Sequence, residues 1–148
     1  MMKKIMVILV VGVLISCSSD SSNRNPFIPE VNFSFEVNLN LPLFSVLNTT
    51  GNAIFINNPG VGVRGVFVIN SGFDTFLAWE ANCPNLSPNN CSTMEIVGGT
   101  NVRCPCDDNE YSLFNGQLLS EPTEGERTFS LLNYRTRVRA DNTVIISN

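Results

Sequence analysis

The sequence predicts an all-β domain built from short antiparallel strands, with little helix. Three observations predict it. Residues 31–39 alternate strictly between apolar and polar side chains. Short apolar runs rich in β-branched and aromatic residues recur along the chain between turn signals. No stretch of ten or more residues repeats its apolar positions with a helical period. Spacing of this kind argues for a sandwich or a barrel.

The elements follow in order. Val31, Phe33, Phe35, Val37 and Leu39 alternate with Asn32, Ser34, Glu36 and Asn38, which predicts a strand with one buried face. Pro42 interrupts it, ahead of a short apolar stretch over 43–47. Residues 53–56, 65–69 and 75–79 predict three further strands, separated by Asn57-Asn58-Pro59-Gly60 and Asn70-Ser71-Gly72. The second and third of these read as a hairpin that delivers Cys83 into a loop. Residues 111–114 with Asn115-Gly116 predict a strand and a tight reversal. Residues 128–132, 135–139 and 143–146 predict the closing strands, the last two joined through Ala140-Asp141-Asn142.

The N-terminus predicts export. Lys3 and Lys4 precede the apolar run 5–15, which is shorter than the ~20 residues a bilayer span needs and suits a secretory signal. The ending Leu14-Ile15-Ser16-Cys17 resembles a lipobox, the recognition site of bacterial lipoprotein signal peptidase. On that reading residues 1–16 are removed and Cys17 is acylated. Residues 17–30 form the lipidated cysteine and a flexible tether, and residues 31–148 form a single domain. Cysteine counting agrees: of five cysteines, lipidation of Cys17 leaves four that can pair in an oxidising compartment.

Both lysines fall in the removed segment. The mature chain then carries seven arginines against 13 acidic residues, a formal charge of −6. Such a chain has no electrostatic footprint for nucleic acid and gains nothing from anionic lipid, so acyl chains must supply the membrane attachment. The expected location is the bacterial cell envelope, the outer membrane in preference to the inner. The expected partners are the membrane, through those chains, and an envelope protein or ligand that the sequence does not name.

The absence of histidine excludes a Ser–His–Asp arrangement, and no glycine-rich phosphate loop is present. No catalytic residue, and hence no enzyme, is expected. Asp107, Asp108 and Glu110 lack the ligand spacing of a calcium loop. Arg135, Arg137 and Arg139 share one strand face, which reads as solvent-facing, with an acidic partner as the alternative. Trp79 and the phenylalanines read as core. The remaining cysteines are Cys83, Cys91, Cys104 and Cys106. Structural disulfides lead, zinc or an all-cysteine cluster is an alternative, and thiol exchange at Cys104-Pro105-Cys106 is another, although only Arg103 is at hand to lower a thiol pKa.

Several features together resemble a Rieske [2Fe–2S] domain. A strand pair leads into Ala78-Trp79-Glu80-Ala81-Asn82-Cys83-Pro84. Val102-Arg103-Cys104-Pro105-Cys106 then resembles the second cluster loop. Tyr111-Ser112-Leu113-Phe114-Asn115-Gly116 and Pro122 are similar to the stretches that follow it. The resemblance covers residues 60–148 and implies a Rieske-like antiparallel β-sandwich or barrel. In that family each loop supplies one cysteine and one histidine to the cluster. Here Asn85 and Asp107 stand at the histidine positions, so the resemblance implies a degenerate site with no cofactor and no metal. A [2Fe–2S] or other metal centre held through Cys83 and Cys104, with or without Asp107, is the alternative and would make the protein an electron carrier. The resemblance also implies a structural disulfide between Cys91 and Cys106, and a second between Cys83 and Cys104 across the former cluster site. Four cysteines allow three connectivities.

Overall fold

A computed structural model describes residues 25–122, 124–125 and 127–148. The expected signal peptide and Cys17 lie outside the described residues. Among the described residues, nine strands and one 3₁₀ turn make up the regular structure: β1 (Ser34–Asn38), the turn Ser45–Asn48, β2 (Ala53–Ile56), β3 (Val66–Gly72), β4 (Thr75–Glu80), β5 (Glu95–Val97), β6 (Asn101–Arg103), β7 (Glu110–Ser112), β8 (Asn133–Arg139) and β9 (Thr143–Ser147). All neighbouring strands are antiparallel. They form a six-stranded sheet in the order β1-β9-β8-β4-β3-β2 and a three-stranded sheet in the order β5-β6-β7.

The large sheet curls. Its two edge strands contribute to one core, in which Val37 and Leu39 from the β1 side meet Ile56 of β2, together with Leu47 of the 3₁₀ turn, Val66, Val68, Phe76, Ala78, Tyr134, Val144 and Ile146. The alternation read over 31–39 places Val37 and Leu39 in this inner core, with Phe33 and Phe35 packed against it. The β3–β4 hairpin is buried on both sides. Val66, Val68, Phe76 and Ala78 face the inner core, while Phe67, Ile69 and Trp79 face a second core with Met94, Val102, Tyr111 and Leu113. Burial on both faces explains why 66–69 is an unbroken apolar run instead of an alternating one.

Three expectations need correction. Residues 128–132 form no strand: the Phe129 N–H donates to the Asn85 side chain and the Leu131 N–H to the Gly116 carbonyl, so no ladder forms. The β3–β4 turn lies beyond Asn70-Ser71-Gly72, at Phe73-Asp74, because β3 continues through Gly72. β5 and β6, which the sequence reading did not contain, fill part of the stretch between the cysteine groups. Ahead of residue 31, Asn25 and Ile28 are buried, and the Asn25 amide donates to the Pro84 carbonyl at 2.7 Å.

Glu80, at the end of β4, is fully buried. Its carboxylate accepts from the N–H groups of Val63 (2.7 Å), Arg64 (2.8 Å) and Asn82 (2.9 Å) and from the Tyr134 hydroxyl (2.6 Å). Four donors compensate the loss of water around the charge. Gly62, at φ +68°, has no room for a side chain, because a Cβ would sit 2.6 Å from the Gly65 carbonyl oxygen and 2.9 Å from Glu80 Oε2. Burial, reinforced by the negative charge of Glu80, pushes the Tyr134 hydroxyl pKa well above its ordinary value. Replacing Glu80 by Gln puts an NH₂ against groups that themselves donate. The expected cost is about 1.5–3 kcal/mol, read as a lower urea midpoint with an unchanged slope; a midpoint equal to wild type would contradict the role of this carboxylate.

Candidate functional site

Two loops carry the four cysteines. The first leaves β4 and is held in place by Asn82, whose amide donates to the carbonyls of Cys83 (2.9 Å) and Leu86 (2.7 Å) and whose Oδ1 accepts from Ser92 Oγ (2.7 Å). Ser92 Oγ in turn accepts the Asn89 N–H, and Asn89 Oδ1 accepts the Cys91 N–H. The Arg64 guanidinium donates to the Asn89 carbonyl. The second loop leaves β6 and closes on itself: the Cys104 N–H donates to the Asn109 carbonyl and the Asp108 N–H to the Cys104 carbonyl.

Cys83 is bonded to Cys104 and Cys91 to Cys106, with Cα atoms 5.6 and 5.3 Å apart. This is the connectivity that the resemblance implied. The two bonds sit in different environments. Cys83 and Cys104 are fully buried in the second core, whereas Cys91 is exposed and Cys106 half-buried. The outer bond borders an open groove lined by Phe55, Met94, Ile96 and Pro105. With sequence separations of 21 and 15 residues, each closes a short loop, worth about 3 kcal/mol in the chain-entropy account.

The two positions that would hold histidines have other work. The Asn85 side chain donates from Nδ2 to the Tyr111 hydroxyl (2.9 Å) and accepts the Phe129 N–H at Oδ1 (2.7 Å), so it ties the first loop to β7 and to the segment before β8. Asp107 is exposed, and its carboxylate accepts the Asn109 N–H (3.0 Å), forming an Asx turn that precedes the left-handed Asp108. Burial, with a contribution from the Asp107 charge, pushes the Tyr111 hydroxyl pKa well above its ordinary value, while the Asn85 hydrogen bond works against the rise.

A [2Fe–2S] cluster does not fit these residues. Its two thiolate positions are bonded to each other, one histidine position is an amide with both polar atoms engaged, and the other caps its own turn. Sulfur atoms nonetheless converge: Sγ of Cys83, Cys104 and Cys106 lie within 4.8 Å of one another, a group able to share a metal ion if it were reduced.

Sequence reasoning did not single out Asn82, Ser92 or Glu80. The local signal was an acid and an amide flanking Ala81 immediately before Cys83, since polar side chains at the root of a buried loop are the ones able to satisfy its backbone. Trp79 packs as core, its indole N–H donating to the Leu113 carbonyl at 2.7 Å. Gly116 lies against its ring, where a Cβ would come within 2.6 Å. Arg135, Arg137 and Arg139 are exposed, and Arg139 pairs with Glu36 and Asp141.

No protein-family model matches the chain, and no curated protein matches it. Among solved structures it is similar to a chain of the complex of reduced oxygenase and oxidised ferredoxin in carbazole 1,9a-dioxygenase (18% identity, TM-score 0.47, covering 80% of this chain and 94% of that one). It is also similar to a structure described as an NADH-dependent nitrite reductase small subunit from Mycobacterium tuberculosis (14% identity, TM-score 0.45, covering 80% and 97%). A third is the ferredoxin of carbazole 1,9a-dioxygenase from Nocardioides aromaticivorans IC177 (14% identity, TM-score 0.43, covering 68% and 90%).

The difference in burial predicts an order of reduction. Under a graded dithiol titration, Cys91 and Cys106 take up an alkylating label before Cys83 and Cys104 do. Simultaneous labelling of all four would show that the buried bond gains no protection from its surroundings.

Proposed function

We propose that this protein is a lipid-anchored lipoprotein of the bacterial cell envelope, and that its cluster-less, disulfide-stabilised β domain is a structural or binding module with no enzymatic activity. The observation that carries the reading is the state of the former cluster frame. Cys83 and Cys104 spend their sulfurs on each other, and Asn85 spends its amide on Tyr111 and Phe129. Two loops that a cluster would bridge are bridged by a bond that needs no cofactor and suits an oxidising compartment. Export and anchoring rest on the N-terminal sequence, which ends in Cys17.

A second reading draws on the convergence of three sulfurs. It makes the protein an envelope electron carrier whose reduced thiolates hold a non-standard metal centre through Cys83 and Cys104. The two readings separate on metal content. After full reduction and anaerobic incubation with iron and sulfide, the protein is expected to remain without charge-transfer absorption and without stoichiometric iron. A visible band with bound iron would favour the carrier and overturn the first reading.

Anchoring is tested apart from the domain. Cys17→Ser is expected to move the protein from the membrane fraction to the soluble one. A variant that stays membrane-bound and unprocessed would show that the apolar segment, not a lipid, holds it.

A further inference from the structure

We infer that Cys106 is a relay sulfur for thiol–disulfide exchange, through which a dithiol that touches only the exposed Cys91–Cys106 bond also opens the buried Cys83–Cys104 bond. Three sulfurs converge there at two depths. Sγ of Cys83, Cys104 and Cys106 lie within 4.8 Å of one another. Cys83 and Cys104 are fully buried, Cys106 is half-buried and Cys91 is exposed. Cys106 therefore belongs to the outer bond by covalency and to the inner bond by position.

These positions are held by hydrogen bonds that do not involve the outer bond. In the first loop the Cys83 N–H donates to the Ser92 carbonyl (2.7 Å), and the Asn82 amide holds the Cys83 and Leu86 carbonyls. In the second loop the Cys104 N–H donates to the Asn109 carbonyl and the Asp108 N–H to the Cys104 carbonyl, both at 2.9 Å, so Cys106 lies inside a closed turn. When the outer bond opens, that turn keeps its shape. A change of rotamer at the freed Cys106 then brings its sulfur onto the inner bond. Asn89 Oδ1 lies 3.2 Å from Cys91 Sγ and 3.6 Å from Cys106 Sγ, so the released thiols find an acceptor already in place.

The reductant is a dithiol, and no cofactor is needed. One of its thiolates attacks the exposed Cys91 sulfur, forms a mixed disulfide there and expels Cys106 as a thiolate. Its second thiol attacks that mixed disulfide, so the reductant leaves as a disulfide and Cys91 as a thiol, and two electrons have entered. The Cys106 thiolate then attacks Cys83 Sγ. The Cys83–Cys104 bond breaks, a Cys83–Cys106 bond forms, and Cys104 leaves as a thiolate that takes up a proton; no net electrons move in this step. Attack at Cys83 keeps the two loops joined, whereas attack at Cys104 would close a ring across Pro105 alone, whose φ is fixed. The new bond includes the half-buried Cys106, where a second dithiol attacks and completes the reduction. No lowered thiol pKa is required, because a sulfur held beside its target reacts as an intramolecular group. An alkylating label present during a titration caps Cys106 and stops the relay at the outer pair.

The test compares Cys91→Ser with Cys91→Ser/Cys106→Ser in the full chain. Both lack the outer bond and keep the inner one, so they differ only in the relay sulfur. Cys91→Ser, held without reductant, then unfolded in acid and labelled with a maleimide, is expected to carry label at both Cys104 and Cys106, told apart by fragmentation at Pro105. Wild type given one equivalent of dithiol is expected to show the same shared label beside Cys91. Under excess dithiol, the bond to Cys83 is expected to open on the order of tenfold faster in the single variant than in the double one. Label at Cys106 without Cys104, or equal rates of opening in the two variants, overturns the inference. The relay rests on the disulfide-stabilised reading of the domain, and the double variant separates the two: Cys83 unlinked there strikes that reading and the relay with it, whereas a linked Cys83 with equal rates strikes the relay alone. Cys17 falls in a separate proteolytic fragment, so the state of the anchor bears on neither readout.

Discussion

The bond between Cys83 and Cys104 is the constraint on which the arrangement of the loops depends. It lies fully buried against Met94, Tyr111 and Leu113, joining the root of the first loop to the root of the second. A metal cluster in that place would bring charge into an apolar core and need charge-compensating hydrogen bonds. A disulfide is neutral and compact, and its surroundings here are correspondingly apolar. With that bond in place, Asn85 and Asp107 serve the fold. Asn85 does so by spanning three segments of chain, and Asp107 by closing a turn.

Glu80 performs the complementary task on the other side of the loops. It is the last residue of a strand buried on both faces, and its carboxylate gathers donors from the 63–64 segment, from Asn82 and from Tyr134 of β8. A buried charge fully supplied with donors fixes geometry more strictly than apolar contacts do, because each misplaced donor leaves a desolvated group unpaired. The inner core thereby communicates its register to the loop that begins at Asn82. The molecule is organised along one axis, with a cross-linked, hydrogen-bonded end at the cysteines and the β3–β4 turn, where Phe73 is exposed, at the other end of the hairpin.

Much of this was legible in the sequence, for identifiable reasons. The alternation over 31–39 reports one buried face, and the run 66–69 reports two, so both patterns survive folding unchanged. β2 was legible over its whole length because the turn-rich Asn57-Asn58-Pro59-Gly60 ends it. β5 and β6 were not, since strands of three residues carry too few side chains to show a period. Residues 128–132 carry strand-like composition, but their backbone bonds go singly to the Asn85 side chain, Gly116 and Glu80, a tertiary choice that local pattern cannot display. At the site, the resemblance located the cysteines and the two substituted positions. The role of Asn85 depended on Tyr111 and Phe129, which lie 26 and 44 residues further along the chain.

The central claim is that the two cysteine loops are held by two disulfides in the working protein. It is tested most directly by isolating the protein from its own membranes under rapid thiol alkylation, then recording intact mass and a non-reducing peptide map. The account predicts no alkylation at Cys83, Cys91, Cys104 or Cys106, a gain of four hydrogen atoms on reduction, and linked peptides joining Cys83 to Cys104 and Cys91 to Cys106. Alkylation of all four cysteines, or iron co-purifying with an unlinked Cys83 and Cys104, would contradict it.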